Sequence, residues 1–175
     1  MAGKNYLLVD GYNIIFAWED LRELAQENLE AARGKLADAL CNYQGFIQDE
    51  VILVFDGHKV PGNPGSVYRY HNIHIIYTKE AETADQYIEM ASRRIEGKYN
   101  VRVATSDGLE QVIILGAGAT RVSARELKKE LEESEKIIRE KYLAKTTGKR
   151  NSLLDNLSPE MARWMEELRL KETKH

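Results

Sequence analysis

Short apolar, β-favouring runs recur along the chain at Tyr6–Val9, Val51–Phe55, Ile73–Tyr77 and Val101–Ala104. A weaker fifth run lies at Thr120–Val122, after the break Gly116-Ala117-Gly118. The segments between them, Asn28–Phe46, Thr83–Ile95 and Leu109–Leu115, carry helix-favouring residues at helical spacing. Thr83 with Gln86, and Ser123 with Glu126, have the spacing of a capping box and mark two helix starts. Strand and helix alternate, and the runs are continuously apolar rather than alternating with polar residues. That pattern predicts an α/β fold with a mainly parallel sheet buried between helical layers.

The pattern changes after Ser123. A stripe of Leu127, Leu131, Ile138 and Tyr142 predicts one long helix from about 123 to 146. The polar stretch Thr147–Asn156, which contains Gly148, predicts a loop, and Ser158-Pro159 the start of a last helix. The expected division is an α/β domain over 1–146, ending in the long helix, and a loop plus helix over 147–175. Trp18 and Trp164 are most simply core anchors.

Three of the runs end on an acid. Leu7-Leu8-Val9 leads to Asp10, Leu53-Val54-Phe55 to Asp56, and the Val101 run, through Thr105-Ser106, to Asp107. In a parallel sheet these ends lie on one edge, the edge at which open α/β sheets bind ligands. Glu82 and Asp85, spaced i, i+3 at a helix start, add two more carboxylates. Any one of these acids is an ordinary turn or cap residue. Gathering several is another matter, because two carboxylates about 4 Å apart repel by roughly 4 kcal/mol at an effective dielectric near 20. A divalent cation removes that cost. The candidate ligands are all hard oxygens, which suits Mg²⁺ or Mn²⁺ and phosphoryl chemistry rather than zinc. His58 is the only histidine that follows a strand-end acid, and it reads as a loop residue.

Composition narrows the setting. The chain has 175 residues, 43% hydrophobic and 30% charged, as a globular protein does. Cys41 is the only cysteine, so no intrachain disulfide and no thiolate metal site can form, in keeping with a cytoplasmic protein. No run before Asp10 is long enough for a signal segment, and none approaches membrane-spanning length. The net charge of −3 is divided, −6 over residues 1–120 and +3 over 121–175.

Together, Val9-Asp10-Gly11-Tyr12-Asn13, Phe55-Asp56, Glu82-Thr83-Ala84-Asp85, Ala104-Thr105-Ser106-Asp107 and Ser123-Ala124-Arg125-Glu126-Leu127 resemble the NYN-domain ribonucleases of the YacP type, within the PIN-like nuclease superfamily. The resemblance spans about residues 5–145, and the basic C-terminal extension also fits. It implies a three-layer α/β/α PIN-like fold with a C-terminal helical extension, and metal-dependent endonucleolytic cleavage of RNA. It assigns Asp10, Asp85 and Asp107 to a catalytic metal centre, with Asp56 and Glu82 in or near it. Asn13 would position water or phosphate, and Thr105 and Ser106 would shape the loop beside the metal. It further suggests mRNA turnover in the cytoplasm, on the translating ribosome.

An acidic edge repels a polyanion, so RNA must be gripped elsewhere. Residues 121–150 hold ten Lys/Arg against six Glu. Arg121, Arg125, Lys128 and Lys129, with Lys79 beside the acidic helix, are candidates for phosphate contact. A mixed-charge helix with Glu132–Lys136 and Glu135–Arg139 pairs is equally a solvated face. Tyr68 and Tyr70 could stack on bases or pack. The rival reading is a non-catalytic RNA- or ribosome-binding module with a vestigial acidic centre. A phosphatase of the haloacid type wants Asp where Tyr12 stands, and a receiver domain wants an acidic pair at the first strand.

Overall fold

The computed structural model describes residues 5–57, 64–95, 99–108 and 118–156, together with 163, 164 and 167. In chain order the elements are β1 (Asn5–Asp10), α1 (Gly11–Ala17), α2 (Glu19–Glu27), α3 (Leu29–Ile47), β2 (Glu50–Phe55), β3 (Ser66–Tyr70), β4 (Ile73–Tyr77), α4 (Ala84–Ile95), β5 (Asn100–Ala104), β6 (Thr120–Val122) and α5 (Ala124–Asn156). The six strands form one sheet in the order β3-β4-β2-β1-β5-β6, parallel except for β3, which runs antiparallel to β4.

Burial on both faces explains the apolar runs. Along β1, Leu7 and Val9 enter one core with Ile14, Leu36, Leu40 and Leu127, while Leu8 enters the other with Ala84, Ile88 and Val103. Helices α1–α3 and the first turns of α5 therefore cover one face, and α4 covers the opposite face. The three-layer α/β/α fold expected of the sequence is present.

Caps set the helix boundaries. The Asn28 side chain accepts from Ala31 N at 3.0 Å to start α3, which ends at Gln48 in the left-handed region. Thr83 and Gln86 form the full reciprocal capping box of α4, with Gln86 N donating to Thr83 Oγ1 at 3.2 Å and Thr83 N to Gln86 Oε1 at 3.0 Å. Ser123 Oγ accepts from Glu126 N at 3.1 Å, the forward half of the same motif.

Some elements differ from the sequence pattern. β3, set by the turn at His71 and Asn72, is not among the apolar runs of the sequence; its exposed outer edge dilutes the apolar signal. Helix α5 continues through Thr147–Asn156, the expected loop. One interior glycine costs a helix about 1 kcal/mol relative to alanine, too little to end a stretch rich in Lys, Arg and Leu. Trp18 is buried and its Nε1 donates to Ala124 O at 2.8 Å, whereas Trp164 is 59% exposed and anchors no core. The Leu109–Leu115 segment, His58 and the Ser158-Pro159 helix start lie outside the described residues. The chain forms two compact units, residues 1–135 and 136–175.

Candidate active site

The strand order reverses at β1. The chain moves from β1 to β2 and on to β4 on one side, then crosses by way of α4 to β5 on the other. A crevice at such a reversal opens between the carboxyl ends of β1 and β5. Register places the acids there. Asp10 pairs with Val54, so Asp56, just past the end of β2, stands two residues beyond that partner. Val9 pairs with Ala104, so Asp10 is level with Thr105, and Asp107 follows two residues on.

Asp10 is only 6% exposed and occupies the N-cap position of α1, yet its side chain makes no capping bond. A turn-and-cap explanation therefore fails for the acid on which it could be tested most directly. Asp10 shares strand parity with Leu8, and so belongs to the α4 side of the sheet. Asp56 lies on that side too, and its Oδ2 accepts a long bond, 3.4 Å, from Ala84 N. That contact brings the start of α4, and with it the exposed Asp85, to the end of β2. Glu82 is half-buried just before this helix, held through its N–H on Lys79 O at 3.1 Å.

The loop after β5 is fixed from three directions. Thr105 is fully buried; its N–H donates to Val122 O at 3.1 Å, and its Oγ1 accepts from Asp107 N at 3.1 Å. Asn13 reaches across the crevice from α1, its Oδ1 accepting from both the N–H and the hydroxyl of Ser106. Asn13 thereby ties the β1 turn to the β5 loop, so its carbonyl oxygen serves the loop. Thr78, which the sequence did not single out, is the counterpart on the other flank. It is buried, and its Oγ1 accepts from Gly57 N at 2.8 Å, just beyond Asp56. Its only sequence signal is a small polar residue at the end of the β4 run.

Among the described residues no three of the carboxylates stand as a ready-made cation cage. The donors fit a water-rich Mg²⁺ or Mn²⁺ better than a closed site, because such ions retain several waters and take one or two carboxylates directly.

A cleft of about 510 Å³ adjoins this edge, lined by Trp18, Ser106, Arg121, Ser123, Arg125 and Lys128 among others. Three of the four predicted phosphate contacts from the basic segment thus meet beside Ser106. Lys128 Nζ also lies 3.4 Å from Asp20 Oδ1 and 5.9 Å from the centre of the Trp18 ring. Partial burial raises the Asp20 carboxyl, but Lys128, the Leu21 N–H and Lys35 together outweigh it and hold the carboxyl below the usual range. Lys129 does not line this cleft, and Lys79 lies beside Gly65 at the β4 end of the edge.

A model of the YacP-like NYN domain matches residues 7–170. The chain belongs to the YacP-like NYN family. A curated relative, the uncharacterized protein YacP of Bacillus subtilis strain 168, is 40% identical over 164 residues, covering 93% of this chain and 95% of that protein. The crystal structure of Rae1 (YacP) from the same organism matches with a TM-score of 0.71 at 38% identity, over 97% of both chains. A tryptophan-to-leucine variant of Rae1 matches with a TM-score of 0.67 at 37% identity, over 88% of this chain and 85% of that one. NYN domains are of nuclease type, so this YacP-like chain has a nuclease-type, RNA-related fold. Among its described residues no helix is long and apolar enough to cross a membrane.

Proposed function

We propose that this YacP-like protein is a cytoplasmic, Mg²⁺- or Mn²⁺-dependent endoribonuclease acting on mRNA. Support comes above all from one juxtaposition: Ser106 lines the cationic cleft and is also bonded to Asn13 at the acidic edge. RNA phosphates held by Arg121, Arg125 and Lys128 would thereby be presented to the acids at the strand ends.

Asp10, Asp85 and Asp107 would hold the metal, with Asp56 and Glu82 beside them. When bound, the ion supplies a water of lowered pKa and a counter-charge for the phosphate oxygens. The protein's own residues do the positioning. Asn13 keeps the Ser106 loop against α1, Thr105 Oγ1 orients Asp107 by accepting the Asp107 N–H, and Asp10 is buried at the sheet end. Cleavage on the translating ribosome, which the family resemblance suggests, is the finer part of this proposal.

The test is cleavage of single-stranded RNA by the purified protein with Mn²⁺, with EDTA, and with Asp10→Asn or Asp107→Asn, run with and without ribosomes. Cleavage that is lost with EDTA and with each substitution is the expected result. Activity that persists through all three would overturn the proposal. Salt-sensitive binding with no cleavage under any condition would instead favour the non-catalytic RNA-binding module.

A further inference from the structure

A second cavity, of about 190 Å³, lies on the α3 side of the sheet and has no part in the scheme above. Its walls are Phe55, Tyr68 and Tyr77 from the sheet and Glu30, Arg33 and Gly34 from α3. Ring contacts inside the core run from its wall to the turn that follows Asp10. Tyr12, two residues after Asp10, lies 5.0 Å from Phe55, which lies 5.4 Å from Tyr77, and Tyr77 lies 6.3 Å from Tyr68 with the two rings 13° from parallel. Arg33 Nη1 donates to the Tyr12 hydroxyl at 3.2 Å, which ties the cavity wall to the turn that carries Asp10.

Two features mark the cavity wall. Tyr68, on the edge strand, keeps 43% of its surface exposed beside the opening. Gly34 stands inside a 19-residue helix, where glycine is less favourable than alanine; a Cβ would meet nothing within 4 Å there or at Gly45 of the same helix, but of the two only Gly34 lines the cavity. At Gly34 the missing side chain leaves that part of the cavity wall open.

We propose that this cavity receives one nucleobase of the RNA strand held at the acidic edge, an inference that rests on the endoribonuclease reading. The flat aromatic wall supplies a stacking surface. Glu30 and Arg33 supply one acceptor group and one donor group for the edge of a base. Their charges cancel, so the cavity offers a phosphate no net attraction. Its volume is below the roughly 300–1,000 Å³ of sites that enclose drug-sized ligands, and suits a single heterocycle rather than a peptide segment.

The experiment measures binding of a short unstructured RNA to the full-length protein in EDTA, by fluorescence anisotropy. In a series of RNAs each nucleotide in turn is replaced by an abasic one. Wild-type protein is expected to lose affinity about 5- to 100-fold at one position of the series. Gly34→Met, which fills the cavity, and Tyr68→Ala should bind intact RNA more weakly by a similar factor and show a flat series, while Tyr68→Phe restores the preference. Thermal melts should show Gly34→Met as stable as wild type. A flat series with wild-type protein, or filled-cavity variants that bind as wild type does, would overturn the base site. It would leave the nuclease reading standing if cleavage is seen. Absence of both binding and cleavage would overturn the two together.

Discussion

Gly11 follows Asp10 in an ordinary helical backbone, so its reason is not conformational freedom. A Cβ there would overlap the Phe55 ring and come within 3.0 Å of Val54 O. The glycine lets α1 start against β2, which is what places Asp10 in the crevice. Gly11→Ala is expected to destabilise the fold by about 1–3 kcal/mol, read from urea unfolding, because the overlap involves backbone as well as ring. In sequence alone a glycine here reads equally as a tight turn or a close approach, because both leave the same single letter. Asn13 acts through the loop it holds. Asn13→Ala should slow RNA cleavage by about 100-fold, the scale of a small misplacement, while RNA affinity measured in EDTA stays unchanged. A parallel loss of affinity would show that Asn13 contacts RNA instead.

Between elements, one network joins β5, α3 and α5. Arg102 Nη2 donates to both Glu130 oxygens, at 2.8 and 2.7 Å, and the Tyr43 hydroxyl donates to Glu130 Oε2 at 2.5 Å. Burial opposes ionisation of Glu130, but the bonds from Arg102 and Tyr43 hold its carboxyl below the usual range. Burial and the bond to Glu130 push the Tyr43 phenol up to about 12. Both have consequences for stability. The Glu130 contribution is present above the carboxylate's ordinary pKa and is lost as pH falls through its lowered value. The Tyr43 contribution is complete below about pH 10, where an unfolded tyrosine titrates, and is lost as pH climbs towards about 12. Thermal melts across pH should show both flanks, and Glu130→Gln should flatten the acid flank; an unchanged acid flank would show that Glu130 is not linked to folding. Strand and helix identities were legible because two-sided burial leaves a continuous apolar run and a capping box fixes two spacings. This network was not, since Tyr43, Arg102 and Glu130 are far apart in the chain and each alone resembles a surface residue. β3 escaped for a related reason: an edge strand with a solvent-facing side lacks the run that marks β1 and β2. At the acidic edge, the strand-end positions of Asp10, Asp56 and Asp107 followed from sequence and parallel topology. The supports supplied by Thr78 and by the Asn13–Ser106 contact required the fold.

At the scale of the whole molecule, opposite charges occupy neighbouring sites: carboxylates at the strand ends and Arg121 and Arg125 in the adjoining cleft. Binding to single-stranded RNA should weaken with salt, with a logarithmic slope of about −0.7 for each phosphate neutralised. Replacing both arginines by glutamine should therefore make the slope shallower by about 1.4 and weaken all sequences alike, measured by titration at several salt concentrations. An unchanged slope would place the RNA elsewhere. The Asn13–Ser106 contact also bears on how the protein is made. The two residues are 93 positions apart, and β1, the first strand, ends up in the middle of the sheet between β2 and β5. During synthesis β1 and β2 can pair early, but the crevice has only one wall until β5 has been made and has docked on the open side of β1. Thr105 is then held by Val122, later still in the chain. The proposed RNA-cutting centre, whose two walls lie 93 positions apart in the chain, stays inert until β5 and β6 have been made and have docked.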